Sequence, residues 1–254
     1  MHLHLFRPEG PRAGPVVLVL HGRDGSAAAA QIVAMRQAAL ALGLAVAVPD
    51  LRFSAANDSA GAGSGFRMGV HVADAARALD WLARPGTGLA PVPPGILVIG
   101  HSMGAYAALR LAAGRSGPGP GGLCQRGMRW AATGHGIAGV VAVSPVLSGA
   151  ARIEARRAMG PAAVEALEAT VPGALADYAA HDLAPVLGRV RCPVAVMTGD
   201  RDGLTPPAVA RRLAAGLKAR PRQRVTVIEG AHHCPVGPRF ERALCAALRG
   251  MVGG

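Results

Sequence analysis

The stretch "GILVIGHSMGAYAALRLAAG", residues 95–114, joins an apolar run to a run of helix formers through the pentapeptide "GHSMG" at 100–104. Ile96 to Ile99 are apolar and largely β-branched without alternation, the pattern of a strand buried on both faces. Met103 to Ala113 contain no proline and are dense in good helix formers. A serine between two glycines at that junction stands clear of the backbone on a turn too tight for flanking side chains. Strand, sharp turn and helix together are the setting of a nucleophile elbow. With 35 Gly and 8 Ser in 254 residues, G-x-S-x-G arises by chance about 0.15 times, so the context of the string, more than the string, carries the reading.

Outward from this stretch the chain repeats the same alternation. An opening strand is expected around Leu3 to Phe6, followed by the runs "VVLVL" (16–20), "LAVAVP" (44–49), "ILVIG" (96–100), "IAGVVAVSP" (137–145), "CPVAVM" (192–197) and "RVTVIE" (224–229). Between them, Val72, Ala76, Leu79 and Ala83 recur at helical spacing, as do Val209, Leu213 and Leu217, and then Phe240, Leu244 and Leu248. Strand followed by helix, repeated this often, implies a mainly parallel sheet with helices on both faces. Two segments break the rhythm. "GRSGPGPGG" (114–122) reads as a breaker-rich loop. Residues 148–189 read as an insert between two strands, with helical patches "AARIEARRAMG" and "AAVEALEAT", and are expected to form a small helical cap within a single domain spanning 1–254.

Composition narrows the function classes. The net charge of +12 would suggest nucleic acid or anionic lipid, but of the 27 basic residues only Lys218 is lysine, and the arginines are scattered in an Ala- and Gly-rich chain with few aromatics. That pattern resembles the coding bias of a GC-rich genome, and no nucleic-acid partner is expected. The longest nearly uninterrupted apolar stretch, "IAGVVAVSPVL", is too short for a membrane span. "MHLHLFRPEGPR" makes a poor secretory signal, so a cytoplasmic location is the default expectation. Cys124, Cys192, Cys234 and Cys245 show no C-x-x-C pairing and no zinc-type spacing with histidine; most read as small buried residues, and no metal or cofactor is expected. The Gly-rich "NDSAGAGSGF" (57–66) lacks the lysine of a phosphate loop. Glu154, Glu165, Glu168, Asp177 and Asp182 are spaced like solvated helix faces and caps. Nothing in the sequence bears on oligomeric state.

A serine nucleophile needs a base, an acid to orient the base, and donors for the oxyanion. Four motifs, "VLVLHG" near the start, "GHSMG" in the middle, "GDRDGLTP" late and "EGAHH" last, together resemble the serine α/β-hydrolase family, of carboxylesterase or lipase type. The resemblance runs over nearly the whole chain, weakly in 114–136 and 148–189. It implies an α/β-hydrolase fold with an eight-stranded, mostly parallel sheet, and hydrolysis through an acyl-enzyme. Ser102 matches the family's nucleophile. The backbone N–H groups of Met103 and Arg23 would form the oxyanion hole, although the loop reads "HGRDGS" in place of the Gly-rich H-G-G-G form, so the Arg23 side chain would crowd or charge the pocket mouth. The G-x-x-D spacing from Gly199 selects Asp202 as the acid, with Asp200 as competitor, and Thr205-Pro206 suits the start of the next helix. In "EGAHH" the family spacing favours His233 as base over His232. His21 and His101 read as structural, His101 packing or hydrogen-bonding locally.

The expected function is therefore a cofactor-free serine hydrolase acting on a small-molecule carboxylic ester or related acyl compound. Rival readings are an acyltransferase, thioesterase or peptidase on the same three residues, and a non-catalytic ligand-binding protein of the same fold.

Overall fold

The computed structural model describes residues 1–10, 14–84, 87, 95–114, 136–217 and 224–252. The apolar runs become strands β1 (His2–Phe6), β2 (Val17–Leu20), β3 (Val46–Asp50), β4 (Ile96–His101), β5 (Ile137–Val143), β6 (Val194–Gly199) and β7 (Arg224–Ile228). They form one seven-stranded sheet in the order β1-β3-β2-β4-β5-β6-β7. Only β1 is antiparallel, pairing with β3; every other neighbouring pair is parallel. The eighth strand implied by the family resemblance has no counterpart among the described residues, because each of the seven runs supplies one strand and no further run remains.

The helices are α1 (Ala30–Leu40), α2 (Met68–Leu82), α3 (Met103–Ala112), α4 (Gly149–Ala158), α5 (Pro161–Thr170), α6 (Ala174–Ala179), α7 (Pro207–Gly216) and α8 (Pro238–Val252). Successive strand residues point to opposite faces, so β2 divides its side chains: Leu18 and Leu20 join one apolar cluster, Val17 and Val19 the other. The first cluster is covered by α2, α3 and α7 together with residues of α4–α6, the second by α1 and α8. In α8, Phe240, Leu244 and Leu248 are fully buried at a spacing of four, each removing apolar surface worth about 1.5–3 kcal/mol. The helical spacings in 72–83, 209–217 and 240–248 fall on α2, α7 and α8, with Ala83 and Leu217 at the C-caps of the first two, and the two patches of the insert are α4 and α5.

Three expectations are corrected or left aside. The described cysteines are not buried: Cys192 and Cys245 are half-exposed and Cys234 is exposed. The helix after "GDRDGLTP" starts one residue later than expected, with Pro206 at the cap and Pro207 first in α7. Most of "GRSGPGPGG", and Cys124, lie outside the described residues.

The strand order places the site. From β2 the chain passes to β3 on one side and returns to β4 on the other, so the loops leaving β2 and β4 diverge. Such a switch point opens a crevice at the carboxyl ends of parallel strands. Arg23 leaves β2 there, and Ser102 leaves β4.

Candidate active site

Ser102 sits between β4 and α3 with φ 53° and ψ −113°, a left-handed conformation that costs a non-glycine residue about 1–3 kcal/mol. The flanking glycines make this turn possible. A Cβ on Gly100 would come within 2.5 Å of the backbone of Ala105, and one on Gly104 would overlap the backbone oxygen of Leu20. A Cβ on Gly22 would stand 3.0 Å from the Ser102 Cβ, so the loop after β2 lies directly against the elbow. The Ser102 N–H donates to Val143 O at 2.9 Å, fixing the turn to β5.

The three sequence candidates come together from loops after β4, β6 and β7. Ser102 Oγ lies 3.0 Å from His233 Nε2, and His233 Nδ1 lies 3.0 Å from both carboxylate oxygens of Asp202. Nδ1–H therefore donates to Asp202, leaving Nε2 as the acceptor for the serine hydroxyl. Asp202 is buried and also accepts from Leu204 N at 2.9 Å and Thr205 N at 2.8 Å. Burial acts to push the Asp202 carboxyl up, but the hydrogen bond and charge of His233 and the Thr205 N–H outweigh it, and the net shift is downward. The competitors face elsewhere: Asp200 and His232 are exposed. Two backbone bonds clip the β6 and β7 loops together, Asp200 N to Ile228 O at 3.1 Å and Arg201 N to Ala231 O at 3.0 Å. A Cβ on Gly199 would overlap the Ala231 carbonyl, so this approach needs the glycine.

Met103 is the first residue of α3. Its N–H belongs to the turn whose donors have no partner within the helix, and the helix dipole favours negative charge there. Arg23 follows Gly22 in the loop against Ser102, and its Nε pairs with Asp24 at 3.0 Å.

Three further histidines hold the floor. His101 Nε2–H donates to the backbone oxygen of His233 at 2.8 Å, so the x position of G-x-S-x-G steadies the loop that carries the third residue. His21 accepts the Leu51 N–H on Nε2 at 2.9 Å and donates from Nδ1 to Gly22 O at 2.7 Å. His71 in turn reaches His21 O at 2.9 Å. Burial pushes His21 and His101 down to about 4, and pushes His71 down as well, so all three act as neutral connectors.

The insert is tied on by contacts that sequence reasoning missed. Asp177, read as a solvated or capping residue of its own segment, accepts the Met68 N–H at the start of α2 at 2.8 Å. Tyr106 O–H donates to His181 Nδ1 at 3.1 Å, linking α3 to the end of the insert. Both pairs are too distant in sequence to carry a local signal. Asp182 and Glu168 do cap locally, through Ala184 N and through Gly173 N and Leu175 N, and Glu154 pairs with Arg157 on an exposed face.

Among the described residues no group of three His, Cys, Asp or Glu side chains could hold a metal ion, and no helix is long and apolar enough to cross a membrane. No curated protein sequence matches the chain. Its fold is similar to that of Est1E from Butyrivibrio proteoclasticus with ferulic acid bound (TM-score 0.72, 15% identity, covering 100% of this chain and 96% of that one). It is also similar to a thermophilic esterase from Thermogutta terrifontis (0.60, 21%, 98% and 94%) and to a monoacylglycerol lipase from Paleococcus ferrophilus (0.63, 18%, 99% and 100%). Residues 16–246, which include all the motifs of the site, match the model of the alpha/beta hydrolase family. The chain belongs to the alpha/beta hydrolase family.

Proposed function

We propose that the protein is a serine hydrolase that cleaves a carboxylic ester or related acyl compound through an acyl-enzyme. The observation that carries this reading is the unbroken hydrogen-bonded chain from Ser102 Oγ through the His233 imidazole to the buried Asp202 carboxylate. Ser102 Oγ attacks the acyl carbon while its proton passes to His233 Nε2. Asp202 holds the imidazole in the Nδ1–H tautomer and stabilises the imidazolium that forms. The backbone N–H groups of Met103 and Arg23 receive the negative charge that develops on the carbonyl oxygen. Collapse of the tetrahedral intermediate breaks the bond to the leaving alcohol, which takes the proton from Nε2. Water, deprotonated by the same nitrogen, then attacks the acyl-serine and releases the acid and free Ser102.

The family match and the esterase and lipase among the similar folds support the ester as substrate class. In this reading residues 148–189 are a helical cap within a single domain, limiting access to Ser102, which is itself buried. Covalent labelling by a fluorophosphonate tests the nucleophile: modification mapped to Ser102 and blocked by Ser102→Ala is expected. A protein that is folded, unlabelled and inactive on chromogenic esters of graded acyl length would overturn the reading.

A further inference from the structure

Most guanidinium groups set into this fold have an evident counterpart. Arg52 forks onto the buried Asp74 carboxylate, with Nη2 to Oδ1 at 2.8 Å, and Arg77 joins it at 2.9 Å. Arg36, whose Nε is enclosed, stacks 4.1 Å from the centre of the Phe6 ring. Two arginines beside the candidate active site keep enclosed nitrogens without a partner among the described residues, although the Arg23 Nε itself pairs with Asp24 at 3.0 Å. Arg152 on α4 encloses both Nε and Nη1, and Arg23 encloses Nη1, with no hydrogen-bond partner among the described residues. Neither stacks on an aromatic ring among the described residues.

Both arginines belong to segments that border Ser102. Arg23 directly follows Gly22, which lies against the Ser102 side chain. Arg152 stands in the first half of α4, and the segment leading into that helix touches the elbow through Val146 N and Ser102 O at 3.4 Å. Burial pushes the Arg152 guanidinium down, as do the charges of Arg156 and Arg23, while Tyr178 and Asp202 act in the opposite direction. Asp202 does not neutralise it, since that carboxylate is engaged with His233, Leu204 and Thr205. Enclosed donors on a permanent cation are costly unless a partner satisfies them, and a second cation nearby raises the cost. Guanidinium forks match planar carboxylates in both geometry and charge.

We infer that Arg152 and Arg23 form an anion subsite of the active centre, so that the preferred ester carries a second, anionic group of the carboxylate type in addition to the bond that is cleaved. This rests on the serine hydrolase reading and names its substrate class. The anion occupies the enclosed donors, and its attraction to them orients the scissile carbonyl over Ser102. The distribution of charge also predicts against choline-like or other cationic esters, which two arginines repel.

The test uses ester pairs differing only in charge, with binding measured separately. Monoethyl adipate against diethyl adipate places the anion on the acyl side, and 4-acetoxybenzoate against its methyl ester places it on the leaving-group side. At least one anionic member is expected to exceed its neutral partner tenfold or more in kcat/KM. In Arg152→Gln that ratio should fall toward one. Because the substitution removes a cation whose enclosed Nε and Nη1 have no partner among the described residues, the melting temperature should hold or rise, whereas a merely structural Arg152 would lower it. Calorimetry with adipate against adipamide, on the wild-type protein and on Arg152→Gln, reads the subsite without turnover. Adipate binding that weakens tenfold or more in the variant supports the inference. Equal or better turnover of both neutral esters, with no preference of the wild-type protein for adipate over adipamide, overturns it even if Ser102 is labelled. If Ser102 is not labelled and no ester is cleaved, the hydrolase reading fails, and the adipate comparison alone decides the anion subsite.

Discussion

At the carboxyl edge of the sheet, Asp202 accepts hydrogen bonds from His233, Leu204 and Thr205. On α4, by contrast, Arg152 encloses two nitrogens without a partner among the described residues. The same molecule thus treats buried charge in two ways. From Ser102 Oγ through His233 to Asp202 each side chain is partnered within the protein, which holds distances of 3.0 Å between three loops separated by as many as 131 residues. At Nε and Nη1 of Arg152 and at Nη1 of Arg23 the enclosed donors have no partner among the described residues, and in the proposed subsite they become attraction for the bound anion. Partnered groups give geometry; unpartnered ones give selectivity. The distinction follows from the cost of leaving buried donors unpaired, which fold stability opposes and ligand binding can relieve.

The largest expected effect separates the two regions. Ser102→Ala should lower turnover by about 10⁴- to 10⁶-fold, while keeping the preference for adipate over adipamide, since Arg152 and Arg23 are intact. Steady-state kinetics on one ester, together with calorimetry, measures both. A folded Ser102→Ala protein with wild-type turnover would end the nucleophile assignment.

Next in size are the neighbours within the partnered region. His233→Ala should match the loss from Ser102→Ala, and Asp202→Asn should cost roughly 10⁴-fold because the wrong imidazole tautomer is held. His232→Ala and Asp200→Asn, at exposed positions, should cost about tenfold or less. The reverse ranking within either pair, measured on folded proteins, would reassign that role.

Acid should expose the cost of the neutral histidines. His21 and His101 sit at about 4 in the folded chain against an ordinary 6.5. Between those values the unfolded chain binds the protons and the folded chain does not, so stability falls as pH drops from 6.5 to 4. Each histidine contributes roughly 3 kcal/mol of that loss. Asp202, shifted downward, adds its own loss only at lower pH, as its folded-state carboxyl is protonated. Urea midpoints across this range should show the slope, and His101→Gln should flatten it. An unchanged slope in the variant would mean that His101 is not held neutral.

Smaller still is the packing of the elbow. Gly104→Ala brings a methyl group onto the Leu20 carbonyl and should destabilise the fold by about 2 kcal/mol, with turnover falling as the loop after β2 is pushed from Ser102. Full stability would mean that the backbone there yields more easily than its close packing suggests.

How much of this was legible before folding depends on range. The central strands β2 to β6 were readable because buried parallel strands are continuous apolar runs, and α2, α7 and α8 because their apolar faces repeat every three or four residues. Ser102 was readable because its turn must be glycine on both sides, a local steric demand that leaves a local signature. Asp202 over Asp200, and His233 over His232, were selected by family spacing, and the structure turns the competitors outward. The contact of His101 with the His233 carbonyl spans 132 residues, and that of Asp177 with the start of α2 spans 109; neither has a spacing rule.

The sequence by itself determined the alternation of strands and helices and the elbow at Ser102, since each depends on periodicity or on sterics within a few residues. Only the tertiary structure decided which loops meet at the switch point, which carboxylate and which histidine turn inward, and that Arg23 and Arg152 enclose donors with no partner among the described residues. Those outcomes depend on burial, and burial is a property of what packs against a residue from elsewhere in the chain.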